Sequence, residues 1–169
     1  GTIGGAAAGL AVLQASGSPD DWGPAERACV ARYREPEARL RLGLLVARNR
    51  AASACMDLSD GLADAARQMA EASGTGVTID EAALPVAPSA AAVAAATGTA
   101  LEAWTMSGGE DYELLFAVPA RRRKAFLSAV RQAGETPVTA VGRLTKAPGA
   151  WLVRGESRIP CPPGFRHFA

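Results

Sequence analysis

Residues 51–73, AASACMDLSDGLADAARQMAEAS, pass from an apolar stretch through Asp57-Leu58-Ser59-Asp60-Gly61 straight into a helical pattern. The short, nearly continuous apolar run at 51–56 reads as a buried strand. Leu62, Ala65, Ala66 and Met69 then recur on one face, so 61–73 reads as an amphipathic helix with Gly74 as its C-cap. The junction between them packs two carboxylates and a hydroxyl into four positions, where like charges repel. Two readings account for it. Hard oxygens converging at a strand–helix junction suit Mg²⁺ held together with phosphates. Alternatively, Ser59 or Asp60 caps the helix, a contribution of about 1 kcal/mol, and Asp57 is simply exposed. Leu62 stands three residues after Ser59, so no full capping box is present.

Elsewhere, Gly1–Gly5 reads as a glycine-rich turn, and helices are expected at 6–14, 24–33, 39–48, 89–97, 101–105 and 121–133. Strands are expected at 77–80, 112–118, 138–143, 151–154 and 157–160. Helices and strands interleave without an internal repeat, and the last strands are spaced as antiparallel hairpins. The class is therefore α+β, an α/β sandwich with a mixed, largely antiparallel sheet and helices packed on it. At 169 residues the chain fits a single domain with its own hydrophobic core.

A second acidic cluster, Ser107-Gly108-Gly109-Glu110-Asp111-Tyr112-Glu113, precedes an apolar strand. Its glycines allow close approach to a ligand or positive φ, and strand alternation puts Tyr112 and Glu113 on opposite faces. The plain reading is a turn with a solvated acidic rim. The opening GTIGGAAAG matches neither GxGxxG nor GxxxxGK[ST]. It either sets a helix N-terminus against an anion or lets helices pack closely. Arg121-Arg122-Arg123-Lys124 reads as a solvated helix face. With a net charge of +1 and no basic patches interleaved with aromatics, a nucleic-acid partner is not expected. Phe165 and Phe168 lie in a Pro/Gly-rich tail, where an aromatic must dock, be exposed, or stack on a flat ligand. The three cysteines are scattered, as suits a reducing cytoplasm, and the single histidine argues against zinc. No run reaches the roughly 20 apolar residues of a membrane span. The opening without methionine reads as the C-terminal part of something longer.

Taken in order, GTIGGAAAGLAVL, REPEARLRLG, ASACMDLSDGL, EASGTGVTID, SGGEDYELLFAVP, TAVGRL and PGFRHF resemble the C-terminal half of the thiamine-monophosphate kinase family. That domain type is shared with aminoimidazole ribonucleotide synthetase and selenophosphate synthetase. MDLSDGL and GGEDYELLF, in this order, carry the specificity. The resemblance implies a two-domain cytoplasmic enzyme that moves the γ-phosphoryl group of ATP onto thiamine monophosphate, giving thiamine diphosphate. It also implies Mg²⁺ bridging the phosphates, an active site between the domains, and a homodimer built by an N-terminal domain outside this chain. By the same resemblance Asp57 and Asp60 are magnesium ligands, Ser59 contacts ATP, Glu110 contacts the thiamine moiety, and Phe165 stacks on it. No catalytic residue is assigned. A cationic thiazolium ring suits an aromatic face beside a carboxylate. The chain departs from the family at Gly5, where an acid is common, and at Arg166, where an aspartate is usual. The isolated chain is expected to fold without kinase activity. Two other readings stay open: another ATP-dependent synthetase of the same superfamily, or a non-catalytic binding module on this scaffold.

Overall fold

The structure, a computed structural model, describes residues 1–15, 17–134 and 136–164. The helices are α1 (Gly5–Gln14), α2 (Pro24–Arg34), α3 (Leu40–Arg48), α4 (Leu62–Ala72), α5 (Pro88–Thr97), α6 (Leu101–Met106) and α7 (Arg123–Ala133). The strands are β1 (Ala54–Asp57), β2 (Gly76–Asp80), β3 (Leu114–Ala117), β4 (Gly142–Thr145), β5 (Gly149–Arg154) and β6 (Ser157–Pro160). Prolines at the first turns of α2 and α5 supply a preset φ where an N–H would have no helical partner.

The expected α+β class is found, with the strands divided between two sheets. β1 and β3 form an antiparallel pair in which Asp57 lies opposite Leu114 and Ala54 opposite Ala117. The other sheet has the order β4-β2-β5-β6; β2 runs antiparallel to β4 and parallel to β5, and β5–β6 is a hairpin.

Three packed clusters hold these parts together. α4 covers β2 and β5, so Leu62 and Ala66 meet Ile79, Leu152 and Met106. α1, α2, α5 and α6 bury Val12, Cys29, Val93 and Trp104. α3 and α7 enclose Leu42, Val46, Phe126 and Ala129. β3 joins two of these clusters because successive strand side chains point to opposite faces. Leu115 packs toward the α4 cluster, while Phe116 meets Phe126 edge-on at a ring separation of 5.4 Å.

Three expected strands start later than the sequence suggests. The strand expected at 51–56 is β1, which begins at Ala54; it is not buried, since its two-stranded sheet leaves Cys55 and Asp57 exposed and Ala54 and Met56 only partly covered. Glu110 and Tyr112 have positive φ, which breaks extended backbone, so β3 begins at Leu114 and not at Tyr112. The strand expected at 138–143 pairs with β2 only from Gly142 onward. Val138 and Val141 instead line an apolar cavity of about 830 Å³, together with Leu58, Leu62, Leu115 and Phe126.

α1 and α2 pack closely because α1 is built from Gly and Ala. A methyl group placed on Gly9 would collide with the Cys29 carbonyl of α2. Gly9→Ala is therefore expected to destabilise the protein by about 2 kcal/mol, the usual cost of overpacking, read as a lower urea midpoint with an unchanged m-value.

Candidate active site

β1 ends at Asp57, and residues 58–61 bend into α4. The 110–113 segment runs alongside this bend. The Leu58 N–H donates to the Glu113 carbonyl (2.9 Å), Tyr112 N–H to the Leu58 carbonyl (3.2 Å), and Glu110 N–H to the Ser59 carbonyl (2.8 Å). These three bonds extend the β1–β3 pairing past its regular end and bring Asp57, Ser59, Asp60 and Glu110 to one rim. Asp57 and Glu110 are exposed; Ser59 and Asp60 are partly exposed. The helix-cap reading of the junction does not hold, because the N-cap of α4 is Gly61, which has no side chain. Its φ of +92° suits glycine, and a Cβ there would lie 2.9 Å from the Met106 carbonyl oxygen.

The second acidic cluster is not a solvated rim throughout. Asp111 and Glu113 are buried, at 2 % and 4 % exposure. Asp111 accepts from Gly4 N–H (2.6 Å) and Ala6 N–H (3.1 Å), so the protein's own carboxylate fills the N-terminus of α1. Of the two readings of the opening glycine turn, an anion at the helix N-terminus is met internally by Asp111, and close helix packing is met by Gly9 against Cys29. Burial pushes the Asp111 carboxyl up, against the two amides and Arg32, which favour its ionised form. Glu113 accepts from Arg39 Nε (2.9 Å) and Nη2 (2.7 Å) and from Arg32 Nη2 (2.6 Å). Arg32 Nη2 also donates to the Asp111 carbonyl (2.8 Å). Burial alone would raise the Glu113 carboxyl, but Arg39, the Gly1 amine 3.4 Å from Oε2 and Arg32 together outweigh it and hold it below the usual range. Sequence reasoning missed Arg32 and Arg39, because Glu35 and Glu37 stand between them in the chain and offer nearer partners; Arg39 does pair with Glu37 (2.7 Å) as well.

On either side of Asp111 the backbone is strained. Glu110 has φ +69° and Tyr112 φ +49°, a conformation costing about 1–3 kcal/mol for such residues. Tyr112 Oη donates to Glu110 Oε2 at 3.0 Å. The hydrogen bond and charge of Glu110 push the Tyr112 phenol up, with smaller effects from burial, Asp57 and Asp60. One phenol thus feels all three rim carboxylates.

Among the described residues no three His, Cys, Asp or Glu side chains gather closely enough to enclose a metal. Asp57 and Asp60 fit a hard cation that brings further oxygen ligands with it, as Mg²⁺ does with phosphates. Residues 162–164 are drawn toward this rim. Arg67 Nη2 donates to the Pro162 carbonyl (2.8 Å), Ser107 Oγ donates to the Pro163 carbonyl (2.7 Å), and Gly164 lies against Asp64. Phe165 lies outside the described residues. The apolar cavity of about 830 Å³ is lined by none of the four rim residues.

A family model described as AIR synthase related protein, C-terminal domain, matches residues 1–153. The thiamine-monophosphate kinase of Salmonella typhimurium is 40 % identical over 171 residues, covering 100 % of this chain and 51 % of that protein. A solved structure described as AaThiL complexed with AMPPCP and TMP matches with a TM-score of 0.76 at 29 % identity, covering 99 % of this chain and 49 % of that one. A solved thiamine monophosphate kinase from Aquifex aeolicus matches with 0.74 at 29 % identity, over 90 % and 47 %. The chain spans about half the length of the relatives it matches.

Glu113 yields a pH prediction. Its folded pKa is depressed, so its contribution is complete above the unfolded value of about 4.3 and is lost as pH falls through the lower folded value. Glu113→Gln, which leaves two arginines half-paired, should cost about 3 kcal/mol at neutral pH. In thermal unfolding scans the gap between wild type and variant should be widest at pH 7 and narrow below about pH 4.

Proposed function

The chain belongs to the family of AIR synthase related proteins, as a C-terminal domain of that kind, and on that premise we propose that it is the C-terminal half of a two-domain thiamine-monophosphate kinase. The observation that carries this reading is the rim itself. Two carboxylates and a hydroxyl at the end of β1 face a third carboxylate, Glu110, presented from a strained loop. Relatives of that name align with the chain along its whole length.

In the proposed reaction a phosphate oxygen of thiamine monophosphate forms a bond to the γ-phosphorus of ATP as the bond to ADP breaks. The acceptor is already an oxyanion near neutral pH, since its second pKa is about 6. No side chain has to remove a proton, which accords with a rim of carboxylates and a hydroxyl and with phosphoryl transfer driven by positioning and charge neutralisation. Asp57 and Asp60 hold Mg²⁺, which when bound offsets the charge on the phosphates. Ser59 Oγ donates to a phosphate oxygen of ATP. Glu110 faces the thiazolium cation, and Phe165, following the tail that Ser107 and Arg67 hold, stacks on its ring. The remaining ligands come from an N-terminal domain outside this chain, which also builds the homodimer. No helix among the described residues is long and apolar enough to cross a membrane. The three free cysteines suit work in a reducing cytoplasm.

The test is a phosphoryl-transfer assay of the full-length protein with Mg-ATP and thiamine monophosphate. Thiamine diphosphate should form, stop on chelation and resume with added Mg²⁺. Asp57→Asn and Asp60→Asn should each lower kcat by about 100-fold or more, as expected for lost electrostatic stabilisation. Turnover of a different acceptor only would indicate a synthetase of the same superfamily. Equal Mg-ATP binding by wild type and Asp57→Asn, without turnover, would indicate a binding module. The 169-residue chain alone should show no turnover above a blank.

A further inference from the structure

We propose that Tyr112 is a positioning residue for Glu110, holding Glu110 Oε2 so that the other carboxylate oxygen faces the substrate's cation. The inference rests on the reading of Glu110 as the substrate-facing acid. The phenol donates to Glu110 Oε2 at 3.0 Å. Both residues sit at positive φ, which is rare for a bulky aromatic. The backbone bonds to Leu58 and Ser59 and the buried Asp111 and Glu113 maintain that conformation on either side. Tyr112 is half-buried, and its hydroxyl lies at the surface, so core packing does not account for an aromatic at this strained position.

The chemistry supplies the account. Glu110 shares a rim with Asp57 and Asp60. A carboxylate there has two destinations: the cation of a substrate, or the metal ions those aspartates attract. A neutral hydroxyl fixes the Glu110 carboxylate without neutralising it, as an arginine would, and so keeps its full charge available. It also restrains Glu110 from swinging onto the metal side. Tyr112 thereby separates a substrate-reading acid from two metal-binding acids on one rim.

The test compares wild type, Tyr112→Phe, Glu110→Gln and the double variant in the full-length enzyme. Tyr112→Phe should raise KM for thiamine monophosphate about fivefold to tenfold, the loss of one hydrogen bond to a charged group in a partly solvated site. kcat and KM for ATP should stay within about twofold, since a merely structural defect would move them together. In the Glu110→Gln background Tyr112→Phe should add no further increase. Tyr112→Asn should raise KM similarly while keeping Tm at or above wild type, because Asn tolerates left-handed backbone. A wild-type KM in Tyr112→Phe, with Glu110→Gln raised, would overturn the proposal. So would a lower Tm in both Tyr112 variants with KM unchanged, which would make Tyr112 structural. A wild-type protein inert toward thiamine monophosphate overturns the functional reading, and this inference with it.

Discussion

Two buried carboxylates on one short segment, Asp111 and Glu113, tie the parts of this structure together. An ionised carboxylate without partners is not tolerated in a protein interior. Asp111 meets that demand with the first amides of α1, and Glu113 meets it with guanidinium groups from Arg32 on α2 and from Arg39 at the start of α3. Their satisfaction therefore requires three helices to dock against one loop in a single arrangement. Ion pairs of this kind add little net stability over apolar packing, but they penalise any arrangement that leaves one partner unmatched.

The same segment divides its residues by direction. Asp111 and Glu113 point inward, whereas Glu110 and Tyr112 reach the surface, and the two outward residues carry the positive φ values. Strain at an outward pair persists because the inward pair over-determines the backbone. The result is a rim on which Glu110, hydrogen-bonded by the Tyr112 phenol, shares the electrostatic neighbourhood of Asp57 and Asp60.

Much of the architecture was legible because its signals are local. Pro24 marks a helix start, and Gly98, at φ +68°, closes α5 where the alanine-rich run expected at 89–97 ends. The amphipathic spacing of 62–69 gave α4 and its buried face. The strand expected at 138–143 was not found over its first residues, because an apolar run reads alike whether it pairs in a sheet or lines a cavity. The strand expected from Tyr112 began two residues late, because nothing local announces positive φ at a tyrosine.

By itself the sequence determined the order and kind of the elements, and the crowding of acids at two loops, since periodicity, capping residues and charge are properties of neighbours in the chain. Only the tertiary structure decided which acids face inward and which face the rim. Alternation along the chain sets Glu113 opposite Tyr112, but nothing local says which of the two faces is the buried one. What separates them is α1, Arg32 and Arg39, brought from far along the chain, since a carboxylate's burial is set by the partners that surround it in space.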